Sequence, residues 1–133
     1  MAFVSITRLR LRSWWYVPGF VWHALRSRRQ AAAAPGNLAT AVLNEARRTF
    51  WTRTVWRDEA AMLAFMRSGA HRQAMRHLPE WCDEASVAHW QQASPEPPCW
   101  MEVHRRMQRD GRRSLVRHPS DAQQRFEIPP PRL

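Results

Sequence analysis

The chain has 133 residues, enough for one compact domain with a hydrophobic core and too few for two of ordinary size. Its apolar fraction of 44% and charged fraction of 24% are those of a globular chain, and no apolar run approaches the roughly 18 residues a membrane-spanning helix needs, because Pro18 and Gly19 break the most apolar stretch. The net charge of +10 is carried by arginine alone and is concentrated in residues 1–57, where ten arginines face one acid; without basic residues gathered on one face among stacking aromatics, it predicts no nucleic-acid partner.

The opening stretch MAFVSITRLRLRSWW alternates apolar and polar residues. It lacks the basic head, apolar block and small-residue cleavage site of a secretion signal, so a cytoplasmic protein is expected, with Cys82 and Cys99 as reduced structural thiols. A first strand begins near Phe3. Phe3, Leu9 and Leu11 share one parity and Val4 and Ile6 the other, so a change of phase or a twist is predicted before Leu9. Arg8, Arg10 and Arg12 then read as a solvated strand face. PGFVWHALRSRRQAAAA follows as a helix that opens on Pro18 and is closed by Pro35 and Gly36. Residues 38–43 form a second strand, 44–48 a connection, and Thr49–Trp56, rich in β-branched and aromatic residues, a third; the two strands pair as a hairpin.

Asp58 is placed to cap a second helix, whose apolar stripe is Met62, Phe65 and Met66. Gly69 interrupts it. A further short helix restarts with Ser68 as cap, carries His71, Ala74, Met75 and Leu78 on one face, and is stopped by Pro79. Residues 85–90 are the fourth strand. The order β-α-β-β-α-β is the ferredoxin-like arrangement of an α+β fold, assigned to residues 1–92. Residues 93–133 form a tail: a linker ASPEPP, a short amphipathic helix with Trp100, Val103 and Met107 on one side, and a final IPPPRL that forms no regular structure and is expected to be an extended or disordered arm.

The succession TVW, RDEAAMLAFMRSGAH after a β-hairpin resembles the antibiotic-biosynthesis-monooxygenase superfamily of dimeric α+β barrels, in which a strand ending in Trp meets a capped helix and then a Ser-containing turn leading to His. The APG helix exit and the W-DEA junction are similar to the spheroidene monooxygenase type within it. The resemblance spans about residues 3–90. It implies a homodimer whose protomers pair sheet against sheet, with a pocket between helices and sheet in each. The physical reason for such pairing is that a sheet with helices on one face leaves the other bare. On the third strand, Trp51, Arg53 and Val55 share one face and Phe50, Thr52, Thr54 and Trp56 the other; one set is interface and the other pocket wall.

The resemblance places His71 where quinone-oxidising members carry a pocket histidine. Haem-degrading members use an Asn on strand one, a helical Trp and a His one turn later; here those helical places hold Phe65 and Met75, and strand one has no Asn. Carotenoid-type members are similar to haem proteins, and His23, His71 or His89 is then a candidate axial ligand. His71 is thus the catalytic candidate, as a pocket base or haem ligand, beside the plainer reading of a helix histidine bonded to a backbone carbonyl. Trp22, His23, Arg53, Trp56, Phe65 and Met75 are the substrate-binding candidates. Arg53 inside an apolar strand needs a partner, a ligand carboxylate or Glu45. Trp14, Trp15 and Trp22 form an aromatic cluster at the start of the first helix, for a flat or polyene ligand, a dimer contact or a membrane surface.

No phosphate loop, nucleophile elbow or carboxylate pair is present, and Cys99 with His104 does not make a metal site. The reading is a monooxygenase acting on an apolar aromatic or polyene substrate, quinol-like or carotenoid-like, and either cofactor-free or haem-dependent. The alternative is a non-catalytic dimeric module that binds a hydrophobic ligand.

Overall fold

The computed structural model describes residues 1–45 and 48–132; the connection expected over 44–48 lies partly outside them. A five-stranded antiparallel sheet runs in the order β2-β3-β1-β4-β5, built from β1 (Ala2–Leu11), β2 (Asn37–Glu45), β3 (Thr49–Trp56), β4 (Cys82–Gln92) and the two-residue β5 (Arg112–Arg113). Four helices, α1 (Val17–Ala33), α2 (Glu59–Met66), α3 (Gly69–Met75) and the one-turn α4 (Leu78–Trp81), connect the strands. The ferredoxin-like α+β expectation holds over these elements. In the tail lie α5 (Trp100–Asp110) and α6 (Asp121–Arg125).

Local signals explain most boundaries. Asp58 accepts a hydrogen bond from the Ala61 amide at 2.8 Å and so caps α2 as expected. Gly36, at φ +85°, turns the chain from α1 into β2 where a Cβ would stand 2.7 Å from that of Ala61. Ser68 precedes α3 in extended conformation, but its side chain makes no capping bond. Gln30 of α1 does that work: its amide nitrogen donates to the Ser68 carbonyl at 2.8 Å, and its oxygen accepts from the His71 amide at 3.0 Å. Pro79 does not stop the helix before it. That helix has ended at Met75, and Pro79 sits in the first turn of α4, where a missing N–H costs nothing.

β1 pairs with β3 without a break from Phe3 to Arg10, so no change of phase occurs before Leu9. The two parities of apolar residues have a different cause: both faces of the sheet are buried. Phe3, Leu9 and Leu11 point toward α1 to α4, whereas Val4 and Ile6 join Trp51, Val55, Val103, Met107 and Ile128 on the opposite side. That opposite face, for which burial against a second copy was expected, is covered by the chain's own tail. Val103 and Met107 are fully buried, each contributing about 2 kcal/mol of burial. Phe126 closes α6 in the left-handed conformation and Ile128 follows it into the core. The buried Gln123 amide pairs with both the N–H and the C=O of Ala85, at 3.1 and 2.9 Å, supplying β4 with the partner a further strand would give. The final segment is irregular but anchored, since the Arg132 amide donates to Glu45.

The same cover corrects the reading of Arg8, Arg10 and Arg12 as a solvated face. Arg8 is 5% exposed and donates to Glu84 at 2.7 Å; Arg10 forks onto Asp83 at 2.9 and 2.6 Å; Arg12 reaches Glu80 at 2.5 Å. An acidic stretch on and before β4 lies across from them, and Ser120 of the tail donates to the second Glu84 oxygen at 2.9 Å. Removing one partner of such a buried pair costs about 3 to 5 kcal/mol, because the other charge is left uncompensated.

Candidate active site

Between the sheet and the layer of α1 to α4 lies a cavity of about 330 Å³. Strand registry orders its floor. Thr40, Thr54, Ser5 and His89 stand side by side across four strands; the next row is Val42, Thr52, Thr7 and Val87; the third is led by Phe50, Leu9 and Ala85. Residues two apart on a strand share a face, so one parity of β1, β3 and β4 brings all of these into the cavity. The floor thus grades from a polar row to an apolar one. This settles the two faces of β3: Phe50, Thr52 and Thr54 are pocket wall, while Trp51, Arg53 and Val55 lie under the tail.

α1 contributes the roof through Phe20, His23 and Ser27, one and two turns apart on its inner face. His23 Nδ1 and Ser27 Oγ are buried with no hydrogen-bond partner among the described residues. Two such orphaned atoms four residues apart, both on the cavity side, call for a ligand or water oxygen between them. Desolvation, followed by the neighbouring His77 and Arg26, lowers the His23 pKa, so the ring is neutral near pH 7. His77 stacks on Trp81 with ring centres 4.5 Å apart and sits 5.1 Å from His23, which fixes the imidazole from behind.

α3 brings His71 to the same cavity. Its ring lies 4.6 Å from Phe65, and Nδ1 is 3.4 Å from the Met66 carbonyl. In the tautomer whose Nδ1–H donates to that carbonyl, Nε2 is the free acceptor. Burial lowers the His71 pKa, only partly opposed by the Met66 carbonyl, so this imidazole too favours its neutral form. The Met66 contact is that of the plainer reading, a histidine tied to a backbone carbonyl, in a residue that also lines the cavity.

Of the substrate-binding candidates, His23, Phe65 and Met75 line the cavity with His71. Trp56 does not reach it: fully buried, it stacks behind Phe65 at 5.2 Å and sets that ring. Trp22 is 57% exposed on the outer side of α1, because that helix is apolar on both sides and its stripe does not reveal which side is inner. Arg53 lies on the far face of the sheet, where it donates to the Pro98 carbonyl at 2.7 Å and stacks over Trp100 at 4.6 Å. Its partner is a tail carbonyl, neither Glu45 nor a ligand. Sequence reasoning passed over Ser27, Ser5, Thr7 and Thr40 and named His89, Thr52 and Thr54 without joining them into rows, although strand parity carries that signal. Among the described residues no three His, Cys, Asp or Glu side chains converge as a metal group, and no helix is long and apolar enough to cross a membrane.

The family model for antibiotic biosynthesis monooxygenases matches residues 20–77, which span α1 through α3 and hence the roof of the cavity. A comparison with curated proteins finds no significant match. Among solved structures, a candidate antibiotic biosynthesis monooxygenase from Nitrosomonas europaea superposes with a TM-score of 0.63 at 14% identity, covering 71% of this chain and 92% of that one. A variant of SnoaB, a cofactor-independent oxygenase from Streptomyces nogalater, gives 0.58 at 14% identity over 70% and 94% of the two chains. A conserved protein from Methanosarcina mazei gives 0.61 at 16% identity over 69% and 93%. At these identities the structural likeness establishes the fold, and the uncovered part of the present chain corresponds in extent to its tail. The family match over residues 20–77 and the ferredoxin-like sheet together make the chain similar to the antibiotic biosynthesis monooxygenases.

Proposed function

We propose that the protein is a cofactor-independent monooxygenase acting on an apolar, electron-rich aromatic substrate of the phenol or quinol type, with His71 as the base. The observation that carries this reading is a neutral imidazole, Nδ1 on the Met66 carbonyl and Nε2 free, in a largely apolar cavity with a hydroxyl-lined end. The reaction balances without a cofactor. His71 takes the phenol proton, the electron-rich ring reduces O₂, and the oxygen adds to ring carbon as a hydroperoxide. Loss of water, with the O–O bond broken and the ring C–H proton removed, leaves a quinone. A phenol and O₂ thus give a quinone and water. His23 and Ser27 anchor a substrate oxygen, Phe65 and Met75 shape the apolar wall, and exclusion of water keeps the phenolate reactive. SnoaB, on the same fold, is described as cofactor-independent, which favours this form over a haem-dependent one.

The test is oxygen uptake by the purified protein with a panel of hydroquinones and anthrones. His71→Ala is expected to lower the rate by about 10²- to 10⁴-fold while ligand-induced quenching of tryptophan fluorescence persists. An undiminished rate in that variant would remove His71 from the chemistry, and a Soret band in the purified protein would replace the cofactor-free form by a haem-dependent one. Ligand binding with no uptake on any substrate would favour a binding module. The two unpaired thiols fit a reducing compartment, and we assign the protein to the cytoplasm. Any pairing with a second copy is proposed through surfaces other than the face the tail covers.

A further inference from the structure

The cavity roof has an outer side unlike the rest of the molecule. Between Ser13 and Pro35 there are three arginines and no carboxylate; between Ala60 and Pro79 there are again three arginines and no carboxylate. Arg26, Arg28, Arg29, Arg67, Arg72 and Arg76 are all exposed, and none of them forms an ion pair among the described residues. By contrast, Arg8, Arg10 and Arg12 each have an acidic partner, and Arg106 has Glu102. Large apolar side chains stand among the unmatched ones. Trp15 is 84% exposed, Trp14 54%, Trp22 57% and Leu25 54%. On α1, Trp22, Leu25, Arg26 and Arg29 recur at helical spacing on the face opposite Phe20, His23 and Ser27. Arg26 stacks over Trp22 at 4.5 Å and touches Gln73 of α3 at 3.4 Å, joining the two helices into one surface.

We propose that this surface, the Trp14–Tyr16 turn with the outer faces of α1 and α3, docks on a bilayer rich in anionic phospholipid. Tryptophan and leucine side chains set among unpaired guanidinium groups fit a phosphate-bearing interface, where aromatic rings sit at the headgroup level and arginines meet lipid phosphates. The net positive charge of these segments, which carry no carboxylate of their own, supplies the charge complementarity. The cavity lies directly beneath, roofed by the same two helices, and Met75 belongs to both its lining and the exposed surface. Resting on the monooxygenase reading, the arrangement brings an apolar substrate from the bilayer to the cavity without passage through water.

Co-sedimentation of the full chain with phosphatidylcholine vesicles, with and without phosphatidylglycerol, tests this, with duplex DNA as a competitor. Binding is expected only to the anionic vesicles, with a blue shift of tryptophan emission, and is expected to weaken as salt is raised. Each arginine at such a surface is worth about fivefold, so Arg26→Glu with Arg29→Glu should weaken binding by about a hundredfold or more. Trp15→Ser with Trp22→Ser should abolish the blue shift; if that pair fails to fold by circular dichroism, Trp15→Ser alone serves, since this ring is the most exposed. Equal binding to both vesicle types, no binding, or binding unchanged by the tryptophan variants overturns the proposal. So does DNA that binds more tightly than the vesicles in a way the tryptophan variants do not affect. Sedimentation needs no turnover, so His71→Ala should bind vesicles like the parent chain, and the two readings fail separately.

Discussion

In the proposed mechanism, His71 joins two roles that are usually alternatives. Its Nδ1 meets the Met66 carbonyl, its ring rests on Phe65, and no carboxylate among the described residues hydrogen-bonds to it, so burial is the main influence on its proton affinity. Burial holds the pKa below the ordinary value of 6.5. Between that lowered value and 6.5 the unfolded chain binds more protons than the folded one, so stability rises with pH there and is lost as pH falls through the folded-state pKa. His23 and His89 shift in the same direction, for the same first cause. Urea titrations across this acidic window are therefore expected to show falling stability, and His71→Gln should flatten the fall without abolishing it. The acid limb of the oxygen-uptake rate should likewise lie below the ordinary histidine range. An acid limb above 6.5 would show that burial does not govern the titration of the catalytic base, against the geometry of His71. The sequence made His71 legible because its helical spacing sets it with Ala74 and Met75. Arg8 was illegible, because its partner Glu84 lies 76 residues away and nothing near Arg8 announces it.

At the level of elements, the roof is held by one side chain from outside α3. Gln30 donates to both the carbonyl and the hydroxyl of Ser68 and accepts from the His71 amide, so the first turn of a seven-residue helix is capped by its neighbour. Gly69, at φ +56°, brings the backbone so close that a Cβ there would stand 2.9 Å from the Gln30 oxygen. Gln30→Ala is expected to cost about 1 kcal/mol, the usual value of a lost cap, and to speed hydrogen exchange at the amides of α3 and not at those of β1 or β3. Oxygen uptake should fall with it, since His71 loses its anchor; protection unchanged in α3 would show that the cap contributes nothing. Asp58, the hairpin and the parity of β3 were readable because each is a local signal. The identity of the cap on α3 was not, since Ser68 has the right residue type and the bond comes from α1. Trp22 was misplaced for a related reason: α1 carries apolar side chains on its outer side as well as its inner one.

For the molecule as a whole, the decisive element is the one the sequence undervalued. A sheet with helices on one side must hide its other face, and that requirement was met in the sequence reading by a second copy. The stripe Trp100, Val103 and Met107 was visible, but not its destination, because the contacts that place it, from Arg53 to Pro98, from Arg132 to Glu45 and from Gln123 to Ala85, join residues far apart in sequence. The tail fills the place a twin's sheet would take, so sheet-against-sheet pairing requires its removal. Val103→Asp with Met107→Asp puts two carboxylates into fully buried sites and should cost more than 4 kcal/mol if the tail stays docked, by the burial of unpaired charge. The cheaper outcome is release of the tail, which uncovers Val4, Ile6, Trp51 and Val55. Light scattering at micromolar concentration is then expected to show association through the bared face in the double variant, and no sheet-to-sheet dimer in the parent chain. A tail that protects that face should also resist proteolysis in the parent and be cleaved between residues 93 and 99 in the variant. A parent chain cleaved there as fast as the variant would mean that the tail is not the cover of its own sheet.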